Sequence, residues 1–290
     1  MTGFLEHLVS GLASGGIYGL LALAIVLVRR TTGVINFAQG EMATLAAFGC
    51  WTLVDHGWAF WPAFGATIAL SFAGGAALQI VVLRPVERGP LAGILVLTVG
   101  LLLSLNGLMA WIWGGAPKRF DGPFSASLVT VGGAAFSKRD IGVVVASLAV
   151  AALVGLLLTR TKLGLGLRAA SASPAEARLA GVRVGAMRAA GWGLAAALGA
   201  VAGVLAAPSL GLEPNMLQTA LLYALAAAVL GGLDSPAGAL VGGLLLGVLL
   251  DLVGGYVHWV GGELRPATAL AVLLAVLLVR PAGPLGVRRA

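Results

Sequence analysis

Long apolar segments separated by short polar stretches dominate the hydrophobic pattern of the chain. These segments lack the strict alternation of barrel strands, which favours membrane-spanning helices. The pattern predicts an all-α, polytopic integral membrane protein with about 8–9 transmembrane segments, some of them broken or re-entrant, forming one transmembrane domain over residues 1–290. The apolar segments are Phe4–Val28, Thr32–Val54, Trp61–Leu83, Leu91–Trp113, Ile141–Thr159, Ala189–Ala207, Leu217–Leu233, Ala237–Val257 and Ala267–Val279.

A polar patch, Gly33–Glu41, interrupts this pattern between two oily runs, Ile17–Val28 and Met42–Val54. Each run is shorter than the roughly 20 residues that a spanning helix needs. We therefore expect the patch to lie at membrane depth, where polar groups are tolerated only inside protein or beside a water-filled cavity. A carboxylate at that depth marks a functional site by default.

The patch has two interpretations of equal weight. Asn36 and Gln39, three residues apart, are expected to share a helix face from which Glu41 points away, and Gly33 and Gly40 allow the helix to break. In the first interpretation these five residues line a substrate path, where a helix end binds a carboxylate and Glu41 binds an ammonium group. In the second, Glu41 caps or snorkels, and Asn36 forms a structural hydrogen bond between helices.

Composition supports the membrane assignment and excludes a nucleic-acid partner. Of the 290 residues 59% are hydrophobic and 10% charged, whereas soluble domains carry about 25% charge. The net charge of +7 arises from basic residues in the gaps between apolar segments, which is the pattern that orients a membrane protein. The longest basic loop, residues 160–188, is therefore predicted to be cytoplasmic.

Alternation from that loop places 13 of the 18 basic residues inside, with the N-terminus outside and the C-terminus cytoplasmic. The other inside segments carry Arg29, Arg30, Arg84, Arg88, Arg280, Arg288 and Arg289. Six tryptophans fall near the predicted outer boundary, as an interfacial belt would: Trp51, Trp58, Trp61, Trp111, Trp113 and Trp259. The loop Gly114–Asp140 disagrees with this scheme, because it is assigned outside yet carries Lys118, Arg119, Lys138 and Arg139.

Glycine spacing predicts close helix packing. Small residues recur four positions apart, which lets helix backbones approach closely in lipid. We expect this packing to lie within the chain, with a subunit interface as the alternative; the residues are Gly11, Gly15, Gly19, Gly199, Gly203, Gly238, Gly242, Gly243 and Gly247. The interrupted segment Gly231–Gly238 is interpreted as a turn with Asp234 as a helix cap, or alternatively as the tip of a re-entrant pair.

A short helix is predicted within the basic loop, over Ser171–Val182. Ser173 suits the N-cap, Pro174 the first helical position, and Gly181 the end. This helix either rests on lipid headgroups or docks into a groove on a soluble partner.

No catalytic or metal site is expected. The three histidines are far apart and lack metal-ligand spacing, no Ser/His/Asp arrangement can be argued, and Asn106 and Ser104 are expected to bond to a neighbouring helix. The sequence has no G-x-x-x-x-G-K-[ST] phosphate loop, so no ATP hydrolysis or other cofactor chemistry is predicted for this chain itself.

Several motifs, taken together, resemble those of the permease subunits of bacterial ABC importers for branched-chain amino acids, of the first-permease type. They are Gly15–Leu20, Gly33–Glu41, Arg168–Ser171, Leu179–Val182, Ala227–Leu233 and Arg280–Gly286, in the expected order over nearly the whole chain. The resemblance implies a second related permease, two cytoplasmic ATPase subunits that bind the ATP, an extracytoplasmic binding protein and a location in the bacterial inner membrane. It also implies an ATPase-coupling helix at Glu176, Ala177, Arg178, Leu179, Ala180 and Gly181.

Within this class the alternative substrates are urea and short amides, because permeases for these look alike. A secondary transporter or channel that works alone is the alternative class, and a membrane-embedded enzyme has little support.

Overall fold

The computed structural model describes residues 2–87, 89–256 and 264–279, and nearly all of the regular structure there is helical. The helices are α1 (Thr2–Thr32), α2 (Gln39–Asp55), α3 (Phe60–Leu78), α4 (Leu91–Trp113), α5 (Lys138–Arg160), α6 (Lys162–Ala172), α7 (Pro174–Leu179), α8 (Val184–Leu210), α9 (Gln218–Gly231), α10 (Pro236–Tyr256) and α11 (Arg265–Val279). A π-helical turn, Gln79–Leu83, extends α3.

The nine predicted apolar segments all correspond to helices, namely α1–α5 and α8–α11, so the polytopic helical fold is confirmed. Six of them (α1, α3, α4, α5, α8 and α10) are, within the described part of the chain, long and apolar enough to cross a membrane. One premise was wrong: the run Ile17–Val28 is not a short segment of its own, because α1 is one continuous helix of 31 residues. The downstream helix α2 is short, as expected, with 17 residues.

The chain divides into two compact units built from interleaved segments. Unit 1 comprises residues 1–23, 122–151 and 219–290, and unit 2 comprises residues 24–121 and 152–218. In unit 2, α8 packs along both α2 and α3, and α4 packs against α2.

Glycines form the seams within each unit. In unit 1, a Cβ on Gly11 or Gly15 would collide with the backbone of α10, and one on Gly247 would collide with α1. In unit 2, a Cβ on Gly203 would collide with Ala43 of α2. The predicted small-residue packing within the chain is thereby confirmed, since each of these glycines lies against a helix of the same unit.

A β-hairpin in unit 1 was not predicted. Strands β1 (Leu128–Val131) and β2 (Ala134–Ser137) pair antiparallel, with Val131 opposite Ala134. Gly132 and Gly133 join them with φ angles of +61° and +85°, a two-residue turn that favours glycine at both positions. The backbone N–H of Ala135 donates to Glu6 Oε1 of α1 at 2.8 Å.

Candidate functional site

The three polar residues of the patch are all buried around the start of α2. Asn36, Gln39 and Glu41 expose 5% of their surface or less. The helix α2 begins at Gln39, so Asn36 precedes it and the expected common helix face of Asn36 and Gln39 was wrong. The two side chains still meet, because Asn36 Nδ2 donates to Gln39 Oε1 at 3.4 Å.

The break between α1 and α2 has a defined local structure. Gly33 ends α1 with a φ of +80°, a conformation that favours glycine, and its N–H donates to the carbonyl of Arg29. Asn36 Oδ1 then accepts from the N–H of Ala38 at 3.0 Å, which fixes the turn into α2. Gly40 lies inside α2 and does not break it, and its carbonyl accepts from Thr44 Oγ1.

Glu41 belongs to a second group of hydrogen bonds, centred on Asn106 of α4. Asn106 Nδ2 donates to Glu41 Oε2 at 3.3 Å, to the carbonyl of Pro214 at 3.3 Å and to Asn215 Oδ1 at 2.8 Å. The expected bond between Asn106 and a neighbouring helix is confirmed, whereas Ser104 donates to Gly100 O of its own helix. The carboxylate of Glu41 is thus held by a neutral amide.

The cluster lies well inside the lengths of the spanning helices. Asn106 is seven residues before the end of the candidate span Ala92–Trp113, which is about 10 Å along the helix. Gln39 Nε2 donates at 2.9 Å to the carbonyl of Ala195, which lies within the span Val184–Leu210. The start of α2 is therefore packed at interior positions of two spanning helices, where polar groups need partners inside the protein.

Asn215 and the carbonyl of Pro214 were missed as members of the site. They lie in the segment between α8 and α9, which also pairs with Lys118 through Leu212 in an isolated antiparallel bridge. The available signal was an Asn-containing polar interruption between two apolar segments, of the same kind as Gly33–Glu41.

The segment Gly231–Gly238 forms a tight turn between α9 and α10. Gly232 has a φ of +86°, and Ser235 Oγ accepts from the N–H of Gly238 at 3.0 Å. Ser235, the residue directly before α10, therefore caps the start of that helix, whereas the cap predicted from the sequence was Asp234, one residue earlier. A Cβ on Gly231 would collide with the backbone of Gly238, so the two helix ends are in close contact.

The predicted loop helix is present as α7. Ser173 Oγ accepts from the N–H of Glu176 at 3.4 Å, Pro174 occupies the first turn, and Gly181 follows the helix with a φ of +82°. Ala177 is buried with Ala170 and Val184, whereas Leu179 is 90% exposed. The 11-residue helix α6, which precedes α7, was not predicted.

A further polar cluster in unit 2 was also missed. Glu87 accepts from Gln79 Nε2 of the π-helical turn at 2.8 Å, and it pairs with Arg188 near the start of α8. No group of three or more potential metal ligands occurs within the part of the chain that is described. Five of the residues discussed above, Arg88, Trp259, Arg280, Arg288 and Arg289, lie outside the described residues, as does the motif Arg280–Gly286.

Long apolar helices, two of which bond to the polar residues at the start of α2, define a polytopic helical membrane protein. The chain belongs to the family described as the permease component of the branched-chain amino acid transport system, whose model matches residues 7–280.

Two curated relatives are each 30% identical to this chain. One is the high-affinity branched-chain amino acid transport system permease protein LivH of Escherichia coli K12, and the other is the corresponding permease protein BraD of Pseudomonas aeruginosa. Both alignments cover 98% of this chain and 96% of the relative. A probable branched-chain amino acid transport permease protein of Methanocaldococcus jannaschii is 28% identical, over 92% of this chain and 88% of the relative. No solved structure matches the chain significantly.

Proposed function

We propose that this chain is the membrane-spanning permease subunit of an ATP-driven (ABC) importer that translocates branched-chain or other small amino acids across the bacterial inner membrane. The observation that carries the proposal is the family match, which extends over residues 7–280. The relatives in Escherichia coli and Pseudomonas aeruginosa are branched-chain amino acid permeases, which supports this substrate class. ATP is bound and hydrolysed by two separate cytoplasmic ATPase subunits, a division of labour in which this chain needs no phosphate loop of its own.

Two further partners complete the importer. A second, related permease forms a heterodimer with this chain, and an extracytoplasmic protein delivers the substrate. The excess of basic residues in the 160–188 loop supports a cytoplasmic location for that loop, with the N-terminus outside and the C-terminus inside.

The substrate path runs past the start of α2, along Gly33, Asn36, Gln39, Gly40 and Glu41. The ammonium group of an amino acid pairs with the Glu41 carboxylate, whose partner in this structure is the neutral Asn106 amide. The substrate carboxylate faces the N-terminus of α2, where backbone N–H groups and the helix dipole favour an anion. The ammonium and the carboxylate of the substrate would thus both be bound within the first turn of α2.

Coupling to the ATPases takes place at α7, through Glu176, Ala177, Arg178, Leu179, Ala180 and Gly181. Burial of Ala177 against Ala170 and Val184 anchors α7 to its own unit. The exposed Leu179 provides an apolar contact for a groove on an ATPase subunit. Movement of the 160–188 loop upon ATP binding and hydrolysis opens the path to one side of the membrane at a time, which is alternating access.

The test is uptake of radiolabelled leucine by proteoliposomes that contain this chain, the second permease, the ATPases and the binding protein. We expect ATP-dependent uptake that Glu41→Gln lowers by at least about tenfold, because one charge pair with the ammonium is lost. Ser104→Ala on α4 is the matched control and should transport normally, since Ser104 bonds only to its own helix. The Glu41→Gln complex should still contain its ATPases.

Three results would contradict parts of this proposal. Uptake by the chain alone, without ATPases, would identify a secondary transporter or channel. Uptake of urea or a short amide in place of leucine would keep the importer class and replace the substrate. Normal leucine uptake by Glu41→Gln would remove Glu41 from the path.

A further inference from the structure

Unit 2 contains an apolar cavity of about 430 Å³ that begins at Met42, next to the buried Glu41, and follows α2 to Leu53. Its walls come from α2, α3 and α4, with one residue of α8. Leu45, Gly49 and Leu53 contribute the α2 wall, Leu70 and Gly74 the α3 wall, and Leu105 the α4 wall. All four helices belong to unit 2, and three of them are candidate membrane spans.

The cavity offers little to a charged or zwitterionic ligand. Thr52 Oγ1 donates to the carbonyl of Phe48 at 2.8 Å and accepts from Trp113 Nε1 at 2.9 Å, so its single proton is already donated. Thr67 Oγ1 donates to the carbonyl of Ala63 at 2.8 Å. An ionised group placed here would lose its hydration without gaining partners, which is strongly unfavourable. The occupant is therefore an apolar chain.

One end of the cavity reaches the membrane boundary that the tryptophans define. Trp113 lines the cavity and ends α4, and the neighbouring Trp58, Trp61 and Trp111 are all exposed. Exposed tryptophans of this kind sit at the level of the lipid headgroups. Trp113 therefore marks the end of the cavity that lies at the C-terminal end of α4.

Cationic side chains lie at this same end. Lys118 Nζ is 4.9 Å from the centre of the Trp51 ring, and Trp51 Nε1 donates to the carbonyl of Arg119 at 3.2 Å. The Arg119 side chain is almost fully exposed, and Asp121 is its partner. Because Asp121 neutralises Arg119, Lys118 carries the net positive charge beside this apolar cavity, which matches the charge and the shape of a lipid that has an anionic headgroup.

We propose that the cavity holds one acyl chain of an anionic glycerophospholipid, with the lipid phosphate at Lys118 and Arg119. The acyl chain moves into the cavity from a bilayer that is equally apolar, so the hydrophobic effect contributes little to binding. The binding free energy comes instead from van der Waals contacts that fill the void and from the charge of the headgroup. This ligand also explains why Lys118 and Arg119 lie in a loop that the charge rule assigns to the outside.

A helix of another subunit is a poorer occupant on grounds of size. An α-helix is about 10 Å across, so a single turn would already fill about 430 Å³. A thin, flexible acyl chain can instead occupy a space of this volume.

The cavity is tested by filling it from one wall. A Cβ on Gly74 or on Gly65 meets no atom within 4 Å, and both glycines lie on α3, but only Gly74 lines the cavity. The full-length chain, with the subunits that co-purify, is placed in nanodiscs of phosphatidylcholine and phosphatidylglycerol. Native mass spectrometry then counts the lipids that remain bound after detergent exchange.

We expect retained phosphatidylglycerol in the wild type and in Gly65→Leu, and about a tenfold loss in Gly74→Leu. The double variant Lys118→Gln/Arg119→Gln should lower the preference for phosphatidylglycerol over phosphatidylcholine by several-fold. Equal retention in Gly74→Leu and Gly65→Leu would overturn the proposal.

A second measurement uses the unmodified protein and does not depend on the folding of a variant. Phosphatidylglycerol with a photoreactive acyl chain should label peptides from residues 42–53 or 67–78, which line the cavity. Labelling confined to other peptides would overturn the proposal. In a separate experiment on the Gly74→Cys variant, cross-linking to a segment of a partner protein instead of to lipid would also overturn it. Leucine uptake is measured in parallel, so that failure of the lipid site is distinguishable from failure of the transport function.

Discussion

At the scale of single residues, Asn106 is the point where three parts of unit 2 meet. Its side-chain NH₂ has two hydrogens and faces three acceptors, on Glu41, Pro214 and Asn215. This one amide therefore holds both the buried carboxylate and the segment between α8 and α9. Because there are more acceptors than hydrogens, the Asn106 amide can exchange one acceptor for another and still donate both of its hydrogens.

Replacement of Asn106 by Leu tests this role. The change leaves Glu41 without its amide donor at membrane depth, so we expect a loss of stability on the order of 1–3 kcal/mol. The measurement is the unfolding midpoint in mixed micelles. Ser104→Ala on the same helix is the control and should stay within about 0.5 kcal/mol of the wild type.

The double variant Glu41→Leu/Asn106→Leu tests whether the loss of stability in Asn106→Leu arises from the unpaired Glu41 carboxylate. It should recover part of the stability lost in Asn106→Leu, because the unpaired carboxylate is gone and the two single effects are coupled. Purely additive effects would show that the hydrogen bond at 3.3 Å contributes nothing.

These hydrogen bonds show which parts of the site could be predicted from the sequence and which could not. Glu41 stands out from the sequence alone because it is a charge within an apolar stretch. Its connection to Asn215 cannot be predicted in this way, because the link passes through Asn106 and joins residues 109 positions apart. A hydropathy profile carries no information about which distant polar residues form hydrogen bonds with each other.

At the scale of helices, the seam between α3 and α8 depends on one glycine face. A Cβ on Gly75 would lie 2.7 Å from the Trp192 carbonyl and 2.6 Å from Ala196 Cβ, whereas a Cβ on the adjacent Gly74 meets no atom within 4 Å. Two neighbouring glycines of the same helix thus differ only in the face that they occupy.

These two glycines make a matched pair. Gly75→Ala should destabilise the fold by on the order of 1–3 kcal/mol, because the helices must move apart. Gly74→Ala should be neutral or slightly stabilising, since alanine is the better helix former by about 1 kcal/mol. Thermal unfolding in detergent measures the stability of both variants. Equal effects would mean that α3 and α8 can move apart at Gly75 at no cost in stability.

Helices were predicted well where hydropathy is continuous and poorly where it is not. The hairpin residues 128–137 and the helix α6 lie in polar loops, where the apolar period gives no signal. The Gly132-Gly133 pair between two short apolar stretches was the available hairpin signal. In α6, Gly164 and Gly166 in the first turns obscure the helix, whose start is capped by Thr161 accepting from the N–H of Gly164.

At the scale of the whole molecule, the proposed importer mechanism predicts that an ATPase subunit contacts the 160–188 loop through α7. Leu179→Asp places a charge on the exposed side of α7 without touching the buried contact of Ala177. We expect co-purification of the ATPase subunits to fall by about tenfold, while membrane insertion stays normal. Pull-down from solubilised membranes measures the first, and protease protection measures the second.

Leu165→Asp on α6 is the control, because Leu165 is also exposed and also lies in the loop. Equal loss of the ATPases in both variants would mean that any negative charge in this basic loop disrupts docking. Full retention in Leu179→Asp would remove α7 from the ATPase contact.

The hydrogen bond between Gln39 and Ala195 joins residues 156 positions apart in the chain. A ribosome adds about 5–20 residues per second, so roughly 8–30 s pass between the appearance of the amide and that of its acceptor. During that interval the nascent start of α2 carries a polar group into the translocon without its final partner. Biosynthesis therefore has to shelter this helix beside water, an insertase or an earlier segment until α8 arrives.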